Sequence, residues 1–284
     1  MRRLFRRCKR SGLKLLITDT ATYEFSNVSS PDITWMRSLE HLCKEPNLVV
    51  VGRSVGEMMK EEVRSRQPKT DIVDHALTVR FQQLLTGVRD GDDADMRATL
   101  RNVKRIIGRV KKRRNKHDWN KSILQNRVQW WEKVLTRPRL QRLRKLDRET
   151  GVRILADLTT SKIIYNAAKK KRCSNSIASR LTVGPSVFCY TLYALEALAL
   201  DWLARGGLQS AKATDITNDF FDMDYVISAL FCAGLATKDG RAKRVHSALA
   251  TAMKRRWRKF DAVLKANRGK GGRRLPAKGR DGGR

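Results

Sequence analysis

The sequence DMDYVISALFCAGLATKD, residues 222–239, decides the predicted fold. Its apolar pattern predicts a helix that begins on acids, a break at Gly234 and a short apolar strand that ends just before Asp239. In an open α/β sheet, ligands bind beyond the carboxyl ends of the strands. We therefore expect Asp222, Asp224 and Asp239 to lie near such an edge.

The opening part of the chain shows a similar order of short strands and helices. Residues 13–18 and 47–51 are compact apolar runs that predict strands, and helices are expected over 31–44 and from Ser54. Strand, helix, strand and helix in this order favour a parallel sheet with helical crossovers. The expected fold class is α/β, with a small parallel sheet flanked by helices.

The middle of the chain differs in composition. Residues 97–149 hold 19 Lys and Arg against 4 Asp and Glu, with an apolar rhythm that predicts a basic helical segment interrupted at Pro138. A strongly apolar helix is expected over 185–203, ending at Gly206 and Gly207.

These patterns divide the chain into three predicted parts. Residues 11–66 and 184–253 form a discontinuous α/β domain, and 67–183 form a basic helical insert. From 241 to 284 there are 16 basic residues and 2 acids, so 254–284 are expected to form a basic, largely disordered tail.

The net charge points to a polyanionic partner. The 284 residues carry a formal charge of +33, and such an excess destabilises a compact protein by self-repulsion unless an anion neutralises it. Nucleic acid fits best, since an anionic membrane would favour one amphipathic basic helix over charge spread along the chain. The phosphate-binding residues predicted in the insert and tail are Arg105, Arg109, Lys111, Lys112, Arg113, Arg114, Lys116, Lys254, Arg255 and Arg256.

Three tryptophans lie among the basic residues of the insert. Trp119, Trp130 and Trp131 could stack on bases, as in proteins that bind single strands, or could pack the helices together. We expect packing for the tryptophans and phosphate binding for the cations, since a solvated helix face normally mixes both signs of charge.

The five cysteines are scattered, with no Cys-x-x-Cys pair, which argues against a zinc site. Cys43, Cys189 and Cys232 have apolar neighbours and are expected to be buried thiols in a reducing compartment. The sequence shows no signal-peptide pattern and no segment expected to span a membrane, so a cytoplasmic protein is predicted. The oligomeric state and a possible protein regulator are left open.

Each candidate acid has a simpler alternative role. Asp19 follows the first predicted strand and could line the edge of the sheet or form a turn. Glu57 lies in the first turns of a helix, where an acid commonly interacts with the positive end of the helix dipole. Asp222 and Asp224 belong to a group of four acids within ten residues, with Asp215 and Asp219, and which of Asp219, Asp222 and Asp224 would bind a metal is left open. Asp222 or Asp224 could cap the helix that follows, and Asp239 stands two residues after Thr237.

Taken together, these elements resemble the PIN-domain nuclease superfamily. The matching patterns are Asp19-Thr20 after a strand, Val-x-Glu57-Met in a helix, and Asp-x-Asp-Tyr-Val-x-x-Ala…Gly-Leu-x-Thr-x-Asp near the end. The resemblance covers residues 13–66 and 184–250 and implies a metal-dependent ribonuclease. It implies these metal-coordinating and catalytic acids: Asp19, Glu57, Asp222, Asp224 and Asp239. It further implies that Thr20 and Thr237 position the substrate, a water or the last acid.

The physics of such a site indicates a divalent cation. Several carboxylates close together raise one another's pKa and do not all stay ionised without a cation, and Mg²⁺ or Mn²⁺ prefers oxygen ligands. Without a metal, the same acids would pair with Arg64, Lys238 or Arg241. The chain would then be a non-catalytic RNA- or DNA-binding protein with a PIN-like shell, or a nucleic-acid packaging protein.

Overall fold

The computed structural model describes residues 2–18, 20–21, 40–65, 67–90, 117–145, 151–152, 154–155, 185–209 and 211–270. The protein is mostly helical and contains a small parallel sheet of two strands. Its elements are α1 (Arg2–Arg10), β1 (Leu15–Ile17), β2 (Val49–Val51), α2 (Val55–Ser65), α3 (His75–Asp90), α4 (His117–Val134), α5 (Arg137–Arg144), α6 (Val187–Ala204), α7 (Ala213–Ala229) and α8 (Gly240–Lys270).

The two strands form where the sequence predicts them. β1 and β2 run parallel, with Leu15 opposite Val49 and Ile17 opposite Val51. All three residues of β2 are buried, which fits its run of β-branched valines. The N–H of Gly52 extends the pairing by donating to the carbonyl of Ile17 at 2.8 Å. The order of the strands and the helix after β2 are confirmed, whereas the helix expected over 31–44 lies mostly outside the described residues.

The larger hydrophobic core surrounds α6. This helix contacts α2, α4, α5, α7 and α8. Tyr193, Leu198 and Leu203 of α6 have no exposed surface. With 18 residues and a mean hydropathy of 1.4, α6 is long and apolar enough to cross a membrane, but 67% of it is buried inside the protein. The central helix of a soluble domain has the same properties, so α6 is weak evidence for a membrane span.

Both ends of α6 are closed by specific contacts. At its start, the hydroxyl of Ser186 accepts the N–H of Cys189 at 3.0 Å. At its end, the N–H of Gly207 donates to the carbonyl of Trp202 at 3.0 Å, and Gly206 has a φ of +97°. This backbone arrangement favours glycine and terminates the helix where the sequence predicts.

Glu62 of α2 supports the start of α6. Its carboxylate is fully buried and accepts the N–H groups of Val187 at 2.8 Å and of Phe188 at 2.6 Å. It also accepts the N–H of Lys69 at 2.8 Å. Burial raises the pKa of Glu62, and the three hydrogen bonds oppose that shift. One acid therefore joins two helices that are distant in sequence.

A smaller core covers the sheet. It consists of Phe5, Ile17, Leu42, Cys43, Val49 and Leu85. Because Phe5 comes from α1 and Leu85 from α3, these helices pack beside the two strands.

The predicted arrangement of residues 222–239 is wrong in two respects. The helix α7 begins at Ala213, so Asp222 and Asp224 lie in its second half. Ile216, Met223 and Ile227 are buried, and this helical spacing extends the apolar face N-terminal to the acids. Residues 230–239 form turns and irregular backbone, and among the described residues no strand pairs with them, so no ladder satisfies their backbone groups.

One further prediction is confirmed and two need correction. Pro138 marks the predicted interruption, because α4 ends at Val134 and α5 begins at Arg137, with Pro138 in its first turn, where a missing N–H costs little. The helix α8 continues to Lys270, so the first part of the expected tail is helical, and residues 271–284 lie outside the described ranges. Cys232 is exposed because it lies in the turn after α7 and not in a strand.

Candidate functional site

The candidate site begins where β1 ends. The hydroxyl of Thr20, which is fully buried, donates to Oδ2 of Asp224 at 2.9 Å. The two residues are 204 positions apart in the chain. The contact thus places the segment that follows β1 against the second half of α7. Asp19 lies outside the described residues.

Asp222 and Asp224 occupy different positions around α7. Both are half-buried. Residues two apart in a helix do not face the same direction. The contact with Thr20 therefore identifies Asp224 as the acid of this pair that faces the end of β1.

Glu57 lies in the first turn of α2, a helix that contacts α7, and it is exposed. Glu61, one turn further on, is bound by Arg53 and by Lys69, whose Nζ is 3.0 Å from Oε1. These hydrogen bonds lower the pKa of Glu61. Glu61 is therefore an ion-pair residue, and Glu57 is the exposed acid of this face.

Asp239 caps the last helix. Its Oδ1 accepts the N–H of Ala242 at 2.8 Å, and its own N–H donates to the hydroxyl of Thr237 at 3.1 Å. This is the N-terminal capping geometry that an acid commonly adopts. Thr237 therefore fixes the backbone of Asp239, and Asp239 stabilises the start of α8.

A buried ionic network lies near α8. The sequence interpretation named Arg241 as an ion-pair partner for acids in the absence of a metal, but it missed the parts played by Trp202 and Asp201. Arg241 contacts the carboxylate of Asp219, and the indole N–H of Trp202 donates to the same carboxylate at 2.8 Å. The guanidinium carbon of Arg241 lies 4.5 Å from the centre of the Trp202 ring. Burial raises the pKa of Asp219, against the opposing effect of Arg241.

Asp201 extends this network along α6. Its carboxylate lies 2.8 Å from Nη2 of Arg205 and 3.3 Å from Nε of Arg244. The signal in the sequence is the spacing of four between Asp201 and Arg205, which places them on one helix face. Burial raises the pKa of Asp201, and Arg244 and Arg241 oppose the shift.

The acids of the described residues do not by themselves group into a metal site. Within the ranges that the structure covers, no three Asp, Glu, His or Cys side chains are grouped closely enough to hold a metal ion. Asp224 has the hydroxyl partner and partial burial expected of an oriented ligand. A group of three acids at the end of β1 would need Asp19, which those ranges omit.

Two tryptophans of α4 have the packing role that we expected. Trp131 is buried and its indole N–H donates to Glu196 at 2.9 Å. Arg127 contacts the same carboxylate, and its guanidinium carbon lies 5.0 Å from the centre of the Trp130 ring. Burial raises the pKa of Glu196 despite these partners. The side chain of Trp119 is not among those described.

The cationic surface is seen most clearly on α5. Leu143 is buried and anchors this helix to the larger core. The basic residues of the helix and of the position after it are all exposed: Arg137, Arg139, Arg142, Arg144 and Lys145. The structure gives none of these residues an ion pair within its described ranges. They form a surface that a polyanion could neutralise.

The ten cations predicted to bind nucleic acid are mostly outside the described residues. The seven at 105–116 fall in the gap between 90 and 117. Lys254 is exposed and Arg255 is half-buried on α8, and the side chain of Arg256 is not described. Their predicted role stays a prediction.

The fold and site together define a mostly helical protein with a two-stranded parallel sheet, a carboxylate held at the end of β1 and cationic helices on its surface. No protein-family model matches the chain, and comparisons with curated proteins and with solved structures find no similar protein.

Proposed function

We propose that this protein is a metal-dependent PIN-like nuclease that cleaves RNA and holds its phosphate backbone with exposed Lys and Arg residues. One observation carries the proposal, the hydrogen bond between Thr20 and Asp224. It joins the Asp-Thr pair after β1 to the Asp-x-Asp pattern of α7, two separate elements of the PIN resemblance. A contact between these elements is what a shared site requires.

The proposed metal ligands are carboxylates, which suit Mg²⁺ or Mn²⁺. Asp19 and Asp224 would form the centre of the set, and Glu57, Asp222 and Asp239 are the further candidates. Such an ion, when bound, lowers the pKa of a water and neutralises charge that develops on a phosphate. Thr20 contributes by orienting the carboxylate of Asp224, and its burial fixes that orientation.

The cations of the surface would bind the substrate without reading its sequence. Contacts to phosphate position a nucleic acid and carry no base information. The exposed arginines of α5, the lysine that follows it (Lys145) and Lys254 of α8 fit this role by charge and exposure.

A second candidate is a non-catalytic nucleic-acid-binding protein with a PIN-like shell. It is favoured by the position of Asp239, whose carboxylate caps α8, and by Asp219, which is paired with Arg241. In this case the acids stabilise the fold and the cations alone carry the function.

Substitution of Asp224 separates the two candidates. Cleavage of a labelled single-stranded RNA by the wild-type protein should require Mg²⁺ or Mn²⁺ and stop in EDTA. We expect Asp224→Asn to reduce the rate more than about 100-fold, since loss of a residue that merely orients a ligand costs up to that much. RNA binding should persist or tighten, because a repulsive charge is removed. Asp215→Asn is the matched control, as Asp215 is exposed in the first turn of the same helix.

Asp239→Asn gives an independent test, because asparagine is as good a helix cap as aspartate. This variant removes the charge and keeps the start of α8. A loss of cleavage with unchanged stability would assign Asp239 to the site. If Asp224→Asn cleaves at the rate of Asp215→Asn, the nuclease proposal is wrong. RNA binding by a wild-type protein that shows no cleavage with either metal would establish the second candidate.

A further inference from the structure

The helix α1 has two faces of opposite character. Phe5 and Cys8 are buried, and Phe5 belongs to the smaller core beside the sheet. At 3.6 residues per turn, the opposite face is formed by positions that are three, four and seven apart. That face carries four exposed arginines: Arg3, Arg6, Arg7 and Arg10.

The position of α1 is fixed at its C-terminal end. The N–H of Leu13 donates to the carbonyl of Cys8 at 2.9 Å, and that of Gly12 to the carbonyl of Lys9 at 3.5 Å. Gly12 has a φ of +61°, the left-handed conformation that completes this helix ending. The arginines therefore lie on the exposed face of a helix whose other face is buried and whose C-terminus is fixed by hydrogen bonds.

Within the part of the chain that the structure describes, the charge of this face is not balanced by acids. Lys9, at the flank of the helix, pairs with Glu45 at 3.1 Å. For the four arginines the described ranges contain no ion pair. Like charges three or four positions apart on a helix repel one another. An anion that spans several positions would convert this repulsion into attraction.

We propose that α1 is a binding element for the phosphodiester backbone of a nucleic acid. From Arg3 to Arg10 the helix rises about 10 Å, at 1.5 Å per residue. A nucleic-acid strand presents a phosphate about every 3.4 Å along its helical axis, so about three phosphates lie within that rise. The arginine face therefore matches a row of phosphates in both charge and length.

An anionic membrane is the other partner that a basic amphipathic helix suggests. Such a helix binds by inserting its apolar face among the lipids. In α1 that face is occupied, because Phe5 and Cys8 are buried within the protein. The arginines are thus available to an anion while the apolar residues are not available to a bilayer. The proposal for α1 rests on the proposed function only for its partner, a nucleic acid. It does not depend on whether the protein cleaves that nucleic acid.

The test is the salt dependence of binding. For a single strand, the slope of log K against log salt concentration changes by about 0.7 for each phosphate contact. We expect the triple variant Arg6→Gln, Arg7→Gln and Arg10→Gln to flatten this slope by about 2 on a single-stranded RNA. Glutamine has a helix propensity close to that of arginine, so α1 should remain helical. The same variant with lysine at these positions should keep the wild-type slope.

A charge-matched control removes three exposed cations elsewhere, by Arg80→Gln, Lys212→Gln and Lys243→Gln. A steeper slope for this control than for the α1 glutamine variant supports the proposal, and equal slopes overturn it.

A second experiment measures binding to vesicles of phosphatidylserine and phosphatidylcholine. An α1 variant that loses vesicle binding and keeps the wild-type RNA slope overturns the nucleic-acid assignment. If the wild-type protein binds no RNA and no duplex DNA, both the α1 proposal and the proposed function are wrong. If the protein binds RNA and the α1 variants keep the wild-type slope, only the α1 proposal is wrong.

Discussion

Replacing Glu62 by alanine removes the carboxylate that joins α2 to the start of α6. Three backbone N–H groups, those of Lys69, Val187 and Phe188, lose their acceptor. Glu62 is fully buried, so water does not readily replace the carboxylate. The alanine variant should therefore unfold more easily than the wild-type protein.

The size of the effect follows from the three hydrogen bonds. A buried donor left without its acceptor costs about 1–3 kcal/mol, so three donors sum to roughly 3–9 kcal/mol whatever the charge of the carboxyl group. Burial raises the pKa of Glu62, and relief of this desolvation in the alanine variant offsets part of the cost. We expect a net loss of about 3–5 kcal/mol in the free energy of unfolding, or roughly 6–20 °C in Tm for a chain of this size.

Urea unfolding followed by circular dichroism measures this loss. The way in which this loss of unfolding free energy changes with pH can also be predicted. Because the folded pKa of Glu62 is raised, its contribution is complete below the unfolded pKa of about 4.3 and declines as pH rises through the folded value. The difference between the wild-type protein and Glu62→Ala should therefore be larger at pH 5 than at pH 8.

The neighbouring acid Glu61 is the matched control. It is partly exposed and pairs with Arg53 and Lys69 at the surface. Glu61→Ala should cost less, since exposed ion pairs contribute little. A loss below about 1 kcal/mol for Glu62→Ala, or one equal to that of Glu61→Ala, would refute the view that Glu62 holds the two helices together.

Three other substitutions test the packing of the larger core. Trp131→Phe keeps an aromatic ring but leaves an oxygen of Glu196 without its indole donor, so we expect a loss of about 1–3 kcal/mol in urea unfolding. Arg241→Ala leaves the buried carboxylate of Asp219 without its cation and should cost about 3–5 kcal/mol by the same measurement. Gly206→Ala forces a side chain into a φ of +97° and should lower Tm, with a cost of about 1 kcal/mol.

Two controls match these variants. Arg244 pairs with Asp201 but is half exposed, and Arg244→Ala should cost less than about 1 kcal/mol. Gly56 lies in the first turn of α2, where an added Cβ would meet only Oγ of Ser54, at an ordinary contact distance of 3.8 Å, so Gly56→Ala should stabilise the protein by up to about 1 kcal/mol. An equal loss for Arg241→Ala and Arg244→Ala, or the same sign for the two glycine variants, would contradict these explanations.

The elements with a strong apolar pattern could be predicted from the sequence. The valines of β2 and the apolar run of β1 have few alternatives to a buried strand. α6 is apolar over 18 residues and is bounded by Ser186 and Gly206, so both its length and its ends follow from the residues.

The start of α7 could not be predicted correctly from the sequence. Asp222 and Asp224 are predicted to begin the helix and to be metal ligands, whereas the helix begins at Ala213. The helix extends N-terminal to Asp222 through buried residues such as Ile216, and this face is shared with Met223 and Ile227. The segment after it is too short to show whether a strand partner is present. Strand pairing depends on the rest of the fold, which the local pattern does not contain.

Among the acids, the sequence led to Asp224 and missed Glu62. A signal for Glu62 was present, since it follows Val55 by seven positions and Met58 by four. It therefore lies within the apolar face of α2, where an acid needs specific partners. The hydrogen bond of Thr20 to Asp224 depends on a tertiary contact that residue spacing alone does not define.

The span of that contact has a consequence for how the protein is made. A ribosome adds about 5–20 residues per second, so the 204 residues between Thr20 and Asp224 take roughly 10–40 s to synthesise. Until then the end of β1 has no Asp224 to contact. A nascent chain with the proposed activity would therefore lack a complete cleavage centre throughout that interval.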